Sequence, residues 1–212
     1  MLTVHHLGVS QSERIIWLCE ELGIPYELKL YERDPVTMFA PESYRALHPL
    51  GTAPIITDGD LVLPESGAIM EYIIHKHGGG RLAVGPEAAN YADYLFWYHF
   101  ANGSMMPNGM AEMIVNLLGG ASHPMVALLL ERSGKAYKLV EQRLGEVPYF
   151  AGDEFTAADI IMGFPLTTMR AFVPHQLEDM PNLRAYLQRI GARPAYQAAM
   201  QKGDPGRPPF LS

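Results

Sequence analysis

The chain has 212 residues, of which 48% are hydrophobic and 18% charged, so it can bury one sizeable core or two modest ones. Its 16 Lys and Arg residues against 23 Asp and Glu residues give a net charge of -7, which argues against a general affinity for nucleic acid or anionic membranes. The single cysteine, Cys19, excludes an internal disulfide and a Cys-x-x-Cys redox pair. The start of the chain lacks the regions of a signal peptide, and no apolar run approaches the roughly 20 residues of a membrane span, so we expect a cytoplasmic protein.

The first part of the chain is typical of a β-α-β unit. Residues 3–7 form a short β-type run. The apolar side chains that follow recur at helical spacing, at Ile15, Leu18, Cys19 and Leu22. Gly23 and Pro25 end this predicted helix, and the alternation over residues 26–31 predicts a half-buried strand.

The next segment completes the element order of a thioredoxin-like domain. A short helix is expected at residues 41–47, followed by two brief strands at 54–57 and 61–63. The Asp58-Gly59-Asp60 connection favours a hairpin turn between these strands. A helix over residues 66–77 gives the order β-α-β-α-β-β-α, so we predict an α/β thioredoxin-like domain over residues 1–80.

Beyond Pro86 the pattern changes to long helical stretches. We predict an all-α domain over residues 87–212, packed by apolar stripes of helical period. Its predicted helices cover residues 88–118, 124–145, 156–172, 181–190 and 194–201. The Gly- and Pro-rich end, residues 203–212, is expected to be an extended tail.

Four short strings, in order and at matching spacing, carry a resemblance that extends over nearly the whole chain. They lie at residues 10–14 with 17–23, at 48–54, at 63–69 and at 155–160. With these strings the chain resembles the cytosolic glutathione S-transferases, in particular their serine-based branch. The resemblance implies glutathione as co-substrate, bound by the thioredoxin-like domain.

The start of the predicted helix at residue 66 offers an anion site. Its free backbone N–H groups and the helix dipole attract negative charge, and the Ser66 hydroxyl adds a donor. The resemblance implies that Ser66 holds the γ-glutamyl carboxylate of glutathione while Glu65 attracts the ammonium group. The alternative is that Ser66 only caps its own helix.

The segment before the third strand resembles the cis-proline loop of thioredoxin-like folds. The resemblance implies a cis bond before Pro54, with the Ala53 backbone pairing with the cysteinyl residue of glutathione; the alternative is a trans proline that begins a strand. Thr52 also belongs to this predicted site, although many relatives carry a basic residue there for the glycyl carboxylate. His48 or Arg14 is a candidate replacement.

Ser10 is the predicted catalytic residue, since it stands at the position of the catalytic serine in the serine-type branch. The resemblance implies that its hydroxyl donates a hydrogen bond to the glutathione sulfur. Ser12 is a rival donor and a backbone amide is a third candidate, and either serine could serve only as a helix cap. Val9 stands where relatives often carry a polar residue, so we expect modest catalysis.

A pocket for an apolar electrophile is expected in the aromatic and methionine-rich stretch near residue 100. Tyr98, Phe100 and Met106 are the candidates, because aromatic and methionine side chains suit varied apolar ligands. We expect no metal, since His75 and His77 diverge on a helix and no other set has zinc spacing.

Two side chains with chemical potential are assigned structural roles. Thr156 and Asp159 form a Thr-x-x-Asp capping box, which predicts a helix start rather than a reactive acid. Cys19 lies on the apolar side of the first helix, which predicts a packed side chain rather than a nucleophile.

The predicted function is glutathione S-transferase activity, in which the glutathione thiolate attacks small hydrophobic electrophiles. The resemblance implies a cytoplasmic, homodimeric enzyme of detoxification, with no nucleic acid or membrane partner. Glutathione-dependent reduction of peroxides or disulfides remains an alternative because it uses the same thiolate. A glutathione-fold binding module without turnover is the alternative from another class.

Overall fold

The computed structural model describes residues 1–119 and 123–212, and within them the chain divides into two compact units. The first unit contains Met1–Ala83 together with Ala192–Pro209, and the second contains Val84–Gly191 with Phe210–Ser212. The predicted division at residues 80–87 lies close to the first junction. Residues 192–209, however, group with the first unit, whereas the prediction assigned them to the helical domain.

The first unit is built on a four-stranded mixed sheet with the strand order β2-β1-β3-β4. Its strands are β1 (Leu2–Leu7), β2 (Glu27–Tyr31), β3 (Ile55–Asp58) and β4 (Leu61–Pro64). Its helices are α1 (Glu13–Leu22), α2 (Glu42–Arg45), α3 (Ser66–Lys76) and, far along the chain, α9 (Pro194–Gly203). The parallel β1–β2 pair is joined through α1, as a parallel connection requires, and β3–β4 is the predicted hairpin.

The buried strand β1 and helix α1 form the centre of this unit. All six residues of β1 are buried, and α1 buries most of its length because apolar side chains recur on successive turns. Helix α9 packs on α1, where the rings of Trp17 and Tyr196 meet edge to face at 4.8 Å. Glu21 ties the two helices together, accepting hydrogen bonds from both Nε (2.6 Å) and Nη2 (2.7 Å) of Arg193. This bidentate ion pair fixes where the start of α9 lies.

The second unit is helical. Its helices are α4 (Tyr91–Phe100), α5 (Met106–Leu118), α6 (Pro124–Glu146), α7 (Ala157–Leu166) and α8 (Pro181–Gly191), with a π-helix at Ala101–Met105 and a 3-10 helix at Thr168–Ala171. The described residues contain no helix with the length and apolarity that a membrane span requires.

Two predicted helices are interrupted, and each interruption has a proline beside it. The expected helix over residues 88–118 contains the π-helix, where the Met106 N–H bonds to the Ala101 carbonyl, and Pro107 follows without an N–H of its own. The expected helix over residues 156–172 breaks at Thr167, after Pro165 inside α7. The Thr167 hydroxyl there donates to the Gly163 carbonyl at 2.8 Å, which satisfies an acceptor at the helix end.

The capping box at the start of α7 is confirmed. Thr156 accepts from the Ala158 N–H, and Asp159 accepts from the backbone N–H groups of Thr156 (2.9 Å) and Phe150 (3.0 Å). The Tyr186 hydroxyl also donates to Asp159 at 3.2 Å. Burial raises the pKa of Asp159 to about 6 in spite of these hydrogen bonds. Asp159 is thus a fully buried structural acid.

Replacing Asp159 should be among the most destabilising single changes in the second unit. Asp159→Ala removes the acceptor of four buried donors, so we expect the free energy of unfolding to fall by about 2 kcal/mol or more at neutral pH, against about 1 kcal/mol for Thr156→Ala. The difference from wild type should shrink between about pH 4 and pH 6 as pH rises, because the folded wild type keeps a proton there that the unfolded chain has released. Urea unfolding at several pH values measures both effects.

Glu154→Ala is the matched control, since Glu154 is exposed in the same loop. Equal stability of Asp159→Ala and Glu154→Ala would contradict a structural role for the capping box.

Candidate functional site

The loop from β1 to α1 presents two serine hydroxyls in direct contact. The Oγ atoms of Ser10 and Ser12 lie 2.7 Å apart, and the Ser12 N–H donates to Ser10 Oγ at 3.3 Å. Both serines are buried, with Ser10 6% exposed. Ser12 occupies the N-cap position of α1, but its side chain forms no capping hydrogen bond. Its hydroxyl instead accepts from the Leu7 N–H at 3.2 Å.

His6 and Asp204 extend this pair into a chain of four side chains. His6 Nδ1 lies 2.9 Å from Ser12 Oγ, and its Nε2 lies 3.2 Å from the Asp204 carboxylate. The backbone N–H of Val9 donates to the same carboxylate at 3.0 Å. Gly203 permits this approach, because a Cβ there would lie 3.2 Å from His6 Nε2.

The protonation state of Asp204 follows from these contacts. Burial acts to raise the pKa of its carboxyl, but the hydrogen bonds from His6 and the Val9 N–H, together with nearby positive charge, outweigh it and hold that pKa below its usual range. Asp204 is therefore a carboxylate at neutral pH. The tail predicted from residue 203 is consequently anchored at its first residues rather than extended.

A second polar cluster lies at the start of α3. Ser66, almost fully buried, is the first residue of that helix, and its hydroxyl donates to Gln11 Oε1 at 3.4 Å. The guanidinium of the buried Arg14 donates to the same Gln11 oxygen at 3.1 Å and to Ser66 Oγ at 3.5 Å. Glu65 is exposed and holds a φ of 74°, a backbone conformation that a non-glycine residue rarely adopts and that clusters at functional sites.

The chemistry of this second cluster suits a ligand with both a carboxylate and an ammonium group. A helix N-terminus, a buried guanidinium and a serine hydroxyl together favour an anion, while the exposed Glu65 carboxylate favours a cation. Ser66 and Glu65 are the predicted pair. Arg14 was expected instead to replace the basic residue that many relatives carry at the position of Thr52. Its signal in the sequence is a charged residue one turn before the buried Leu18, on the apolar side of α1.

The predicted cis-proline loop has the expected backbone. The Ala53–Pro54 peptide bond is cis, and Pro54 leads directly into β3. Thr52 is exposed just before it. His48 stabilises the preceding turn, since its Nδ1 accepts the Leu50 N–H at 3.2 Å.

Comparison with known proteins identifies the family. The family model described as Glutathione S-transferase, N-terminal domain matches residues 10–76, and the model described as Glutathione S-transferase, C-terminal domain matches residues 103–194. The chain belongs to the glutathione S-transferase family. The predicted fold class, a thioredoxin-like domain followed by a helical domain, is confirmed.

Relatives and solved structures agree with this assignment. Glutathione S-transferase 3 of Schizosaccharomyces pombe is 31% identical over 95% of this chain and 88% of its own length. A crystal structure of a glutathione S-transferase from Actinobacillus pleuropneumoniae is 34% identical with a TM-score of 0.88, covering 96% of this chain and 93% of the other. A theta class glutathione S-transferase from Xanthomonas axonopodis pv. citri, solved with glutathione bound, is 27% identical with a TM-score of 0.69, covering 95% and 96%. The chain is therefore a glutathione S-transferase, an enzyme that transfers glutathione.

The candidates for the electrophile pocket of this glutathione S-transferase differ in accessibility. Tyr98 and Met106 are buried, and Met106 belongs to an apolar cluster with Phe164, Met169 and Val173. Phe100 is half-buried and lines a surface cavity of about 380 Å³ within the second unit. The assignment of all three to substrate binding stays a prediction.

The cysteine and two of the histidines of this transferase are held by packing or by neighbouring carboxylates. Cys19 is fully buried, and burial raises the pKa of its thiol well above the usual range, so Cys19 is poorly suited to act as a nucleophile. His75 lies 3.4 Å from Glu71 and His77 lies 2.7 Å from Asp58. Among the described residues, no group of His, Cys, Asp and Glu is arranged to hold a metal ion.

Proposed function

We propose that this glutathione S-transferase is of the serine type and that Ser10 donates its hydroxyl hydrogen to the thiolate of glutathione. The observation that carries the proposal is the buried hydroxyl pair of Ser10 and Ser12 at the start of α1. A hydroxyl held there acts together with the positive end of the helix dipole, and both favour a negative sulfur. Burial strengthens both effects because little water screens them.

Recognition of glutathione is assigned to the cluster at α3 and to the cis-proline loop. Ser66, with Arg14 behind it, binds the γ-glutamyl carboxylate, and Glu65 binds the ammonium group. The backbone of Ala53 pairs with the cysteinyl residue. Thr52 lies beside the glycyl end. The structure of the theta class relative with glutathione bound supports glutathione as the ligand of this chain too.

The reaction that we propose is conjugation of the glutathione thiolate to small hydrophobic electrophiles. A free thiol with a pKa of about 8.5 is only a few per cent ionised at pH 7, so lowering that pKa by about two units raises the thiolate content about twentyfold. The aromatic and methionine side chains Tyr98, Phe100 and Met106 supply an apolar, polarisable wall for the electrophile. Such an activity fits a cytoplasmic enzyme of detoxification.

One observation separates conjugation from disulfide exchange through a protein thiol. Cys19 is buried and its thiol is held protonated, which opposes a mixed disulfide with this residue. The thiolate that reacts is therefore that of glutathione itself.

We also propose that the enzyme is a homodimer. Several large apolar side chains on α5 are exposed in the single chain, namely Met110, Ile114, Leu117 and Leu118, and Phe96 is exposed on α4. Met110, Ile114 and Leu117 recur at helical spacing, so they share one face of α5, and an exposed apolar face of this kind marks an interaction site. A second copy of the chain would remove this surface from water.

Ser66→Ala should weaken glutathione binding by about 1.5 to 3 kcal/mol, the range for a hydrogen bond to a charged partner. Isothermal titration calorimetry measures the affinity, and thermal unfolding checks that the fold is intact. Ser43→Ala is the control, since Ser43 is exposed on α2 of the same unit and takes no part in this cluster. Unchanged affinity in Ser66→Ala would reduce Ser66 to a buried residue of the helix start.

Ser10→Ala should raise the pKa of the bound thiol and slow conjugation near neutral pH, with the loss shrinking at alkaline pH where the thiol ionises unaided. Glutathione affinity should hold because the α3 cluster is untouched. The measurements are thiolate absorbance against pH and turnover of an aryl halide, an organic peroxide and a mixed disulfide. A normal thiol pKa in Ser10→Ala would exclude Ser10 as the sulfur donor, and preference for the peroxide or disulfide would contradict conjugation.

The dimer should sediment with twice the 23.5 kDa mass of the chain at working concentration. An interface of this kind buries on the order of 2,000 Å² or more, so Ile114→Glu with Leu117→Glu should shift the enzyme toward monomer. The exposed Asp153→Lys, remote in sequence from α5, is the charge-change control. A wild-type chain that sediments only as a monomer contradicts the proposal.

A further inference from the structure

We propose that His6, paired with Asp204, is the acceptor of the glutathione thiol proton, and that the proton reaches it through the hydroxyls of Ser10 and Ser12. This inference rests on the proposed contact between Ser10 and the sulfur. It assigns a role to His6 and Asp204, which are not required if the Ser10 hydroxyl alone stabilises the thiolate.

The direction of each hydrogen bond follows from the donors that are present. Asp204 is a carboxylate and only accepts, so His6 Nε2 carries a hydrogen and donates to it across 3.2 Å. In a neutral imidazole the other ring nitrogen is then an acceptor. Ser12 therefore donates its only hydroxyl hydrogen to His6 Nδ1 across 2.9 Å.

The same count of donors and acceptors fixes the direction of the hydrogen bonds of Ser10. Ser12 Oγ already uses its hydrogen on His6 and accepts from the Leu7 N–H, so the contact of 2.7 Å to Ser10 is a bond that Ser10 donates. Ser10 Oγ accepts from the Ser12 N–H and keeps one lone pair. With His6 neutral, Ser10 thus presents an acceptor to the ligand, which matches a thiol S–H and opposes a thiolate.

A shift of protons along the chain reverses the three bonds between the thiol and His6 Nδ1, while His6 Nε2 continues to donate to Asp204. The S–H bond breaks and its proton binds Ser10 Oγ, the Ser10 hydrogen passes to Ser12, and the Ser12 hydrogen passes to His6 Nδ1. No electrons are transferred between residues. The products are a thiolate that accepts a hydrogen bond from Ser10 and an imidazolium against the Asp204 carboxylate. Because His6 becomes charged only as the thiolate forms, the relay couples the orientation of Ser10 to the ionisation that Ser10 stabilises.

The surroundings of His6 suit this role. His6 is 1% exposed, whereas Asp204 is partly exposed, and both line a cavity of about 540 Å³ in the first unit. The cavity gives His6 a path to release the proton to solvent once the thioether has formed. The charged groups placed against Asp204 are Arg33 and Arg207, which favour its carboxylate form.

The neighbouring histidine offers a matched comparison. His5 is also buried on β1 and also has two side-chain partners, Tyr31 at 2.9 Å and Thr57 at 3.1 Å. Neighbouring residues of a strand point to opposite faces of the sheet, so His5 takes no part in the serine chain. Substituting either histidine removes two hydrogen bonds from the same strand, but only His6 connects to Ser10.

The decisive measurement counts protons when glutathione binds. In weakly buffered solution at about pH 7.5, above the ordinary range of histidine, the wild type should release fewer protons than the thiolates it forms, because His6 retains them. S-methylglutathione has no thiol, so the protons released when it binds come from other groups. That number is subtracted from the number released when glutathione binds. Release of as many protons as thiolates by the wild type would overturn the relay, whatever the variants do.

The variants separate the relay from a structural role. His6→Asn and Asp204→Asn should raise the thiol pKa by about one unit or more, with about a tenfold loss of thiolate per unit, while S-methylglutathione affinity holds. Residual thiolate in His6→Asn should appear with one proton released for each thiolate. His5→Asn should keep the wild-type pKa and proton count.

The outcome for Ser10 distinguishes the two proposals. A thiol pKa unchanged in Ser10→Ala defeats the proposed function, and the relay with it. A thiol pKa raised in Ser10→Ala but not in His6→Asn leaves Ser10 as the donor and removes His6. Adding His6→Asn to Ser10→Ala should have little further effect, because residues that act in one chain are not additive.

Discussion

The loop between β1 and α1 is held in place by two opposite charges, and the candidate site depends on that hold. Asp204 accepts the Val9 N–H, and Arg33 donates to the carbonyls of Gly8 (2.8 Å) and Val9 (3.3 Å). Val9 takes a positive φ of 52°, which an isolated chain with this residue would rarely adopt. The side-chain bonds to its backbone offset that cost, so Ser10 emerges at a fixed point.

The four-residue hydroxyl and imidazole chain obeys the rule that buried polar groups need partners. Ser10, Ser12 and His6 are all nearly inaccessible, yet each has partners for its side chain within hydrogen-bonding distance. An incomplete network of this kind would cost more than an apolar core of equal size. Completion requires Asp204, which follows α9 directly. Helix α9 is attached to α1 at both ends, through Arg193 and Glu21 at its start and through Lys202 and Glu20 near its end.

Local features of the chain could be predicted from the sequence, whereas long-range ones could not. The Asp58-Gly59-Asp60 hairpin and the Thr156–Asp159 box are encoded within a few residues, and both are present. His6 and Asp204 are separated by 198 positions, and no periodicity links them. The sequence also does not predict that α9 packs on α1, because a short amphipathic helix could pack against either unit. The place of Arg14 on the apolar side of α1 indicates that its side chain is buried. A buried charge needs a partner, so its position could have predicted a binding role.

The order of the chain has a consequence for how the enzyme is made. The first unit needs residues 192–209, which the ribosome produces only after Val84–Gly191 of the second unit. During synthesis the sheet and α1 therefore emerge with the flank of α1 uncovered, and Trp17 has no Tyr196 to meet. At about 5 to 20 residues per second, this state lasts for many seconds. The nascent chain must keep its incomplete first unit from aggregating until α9 has been synthesised, so this unit is completed by a helix that follows the helices of the second unit along the chain.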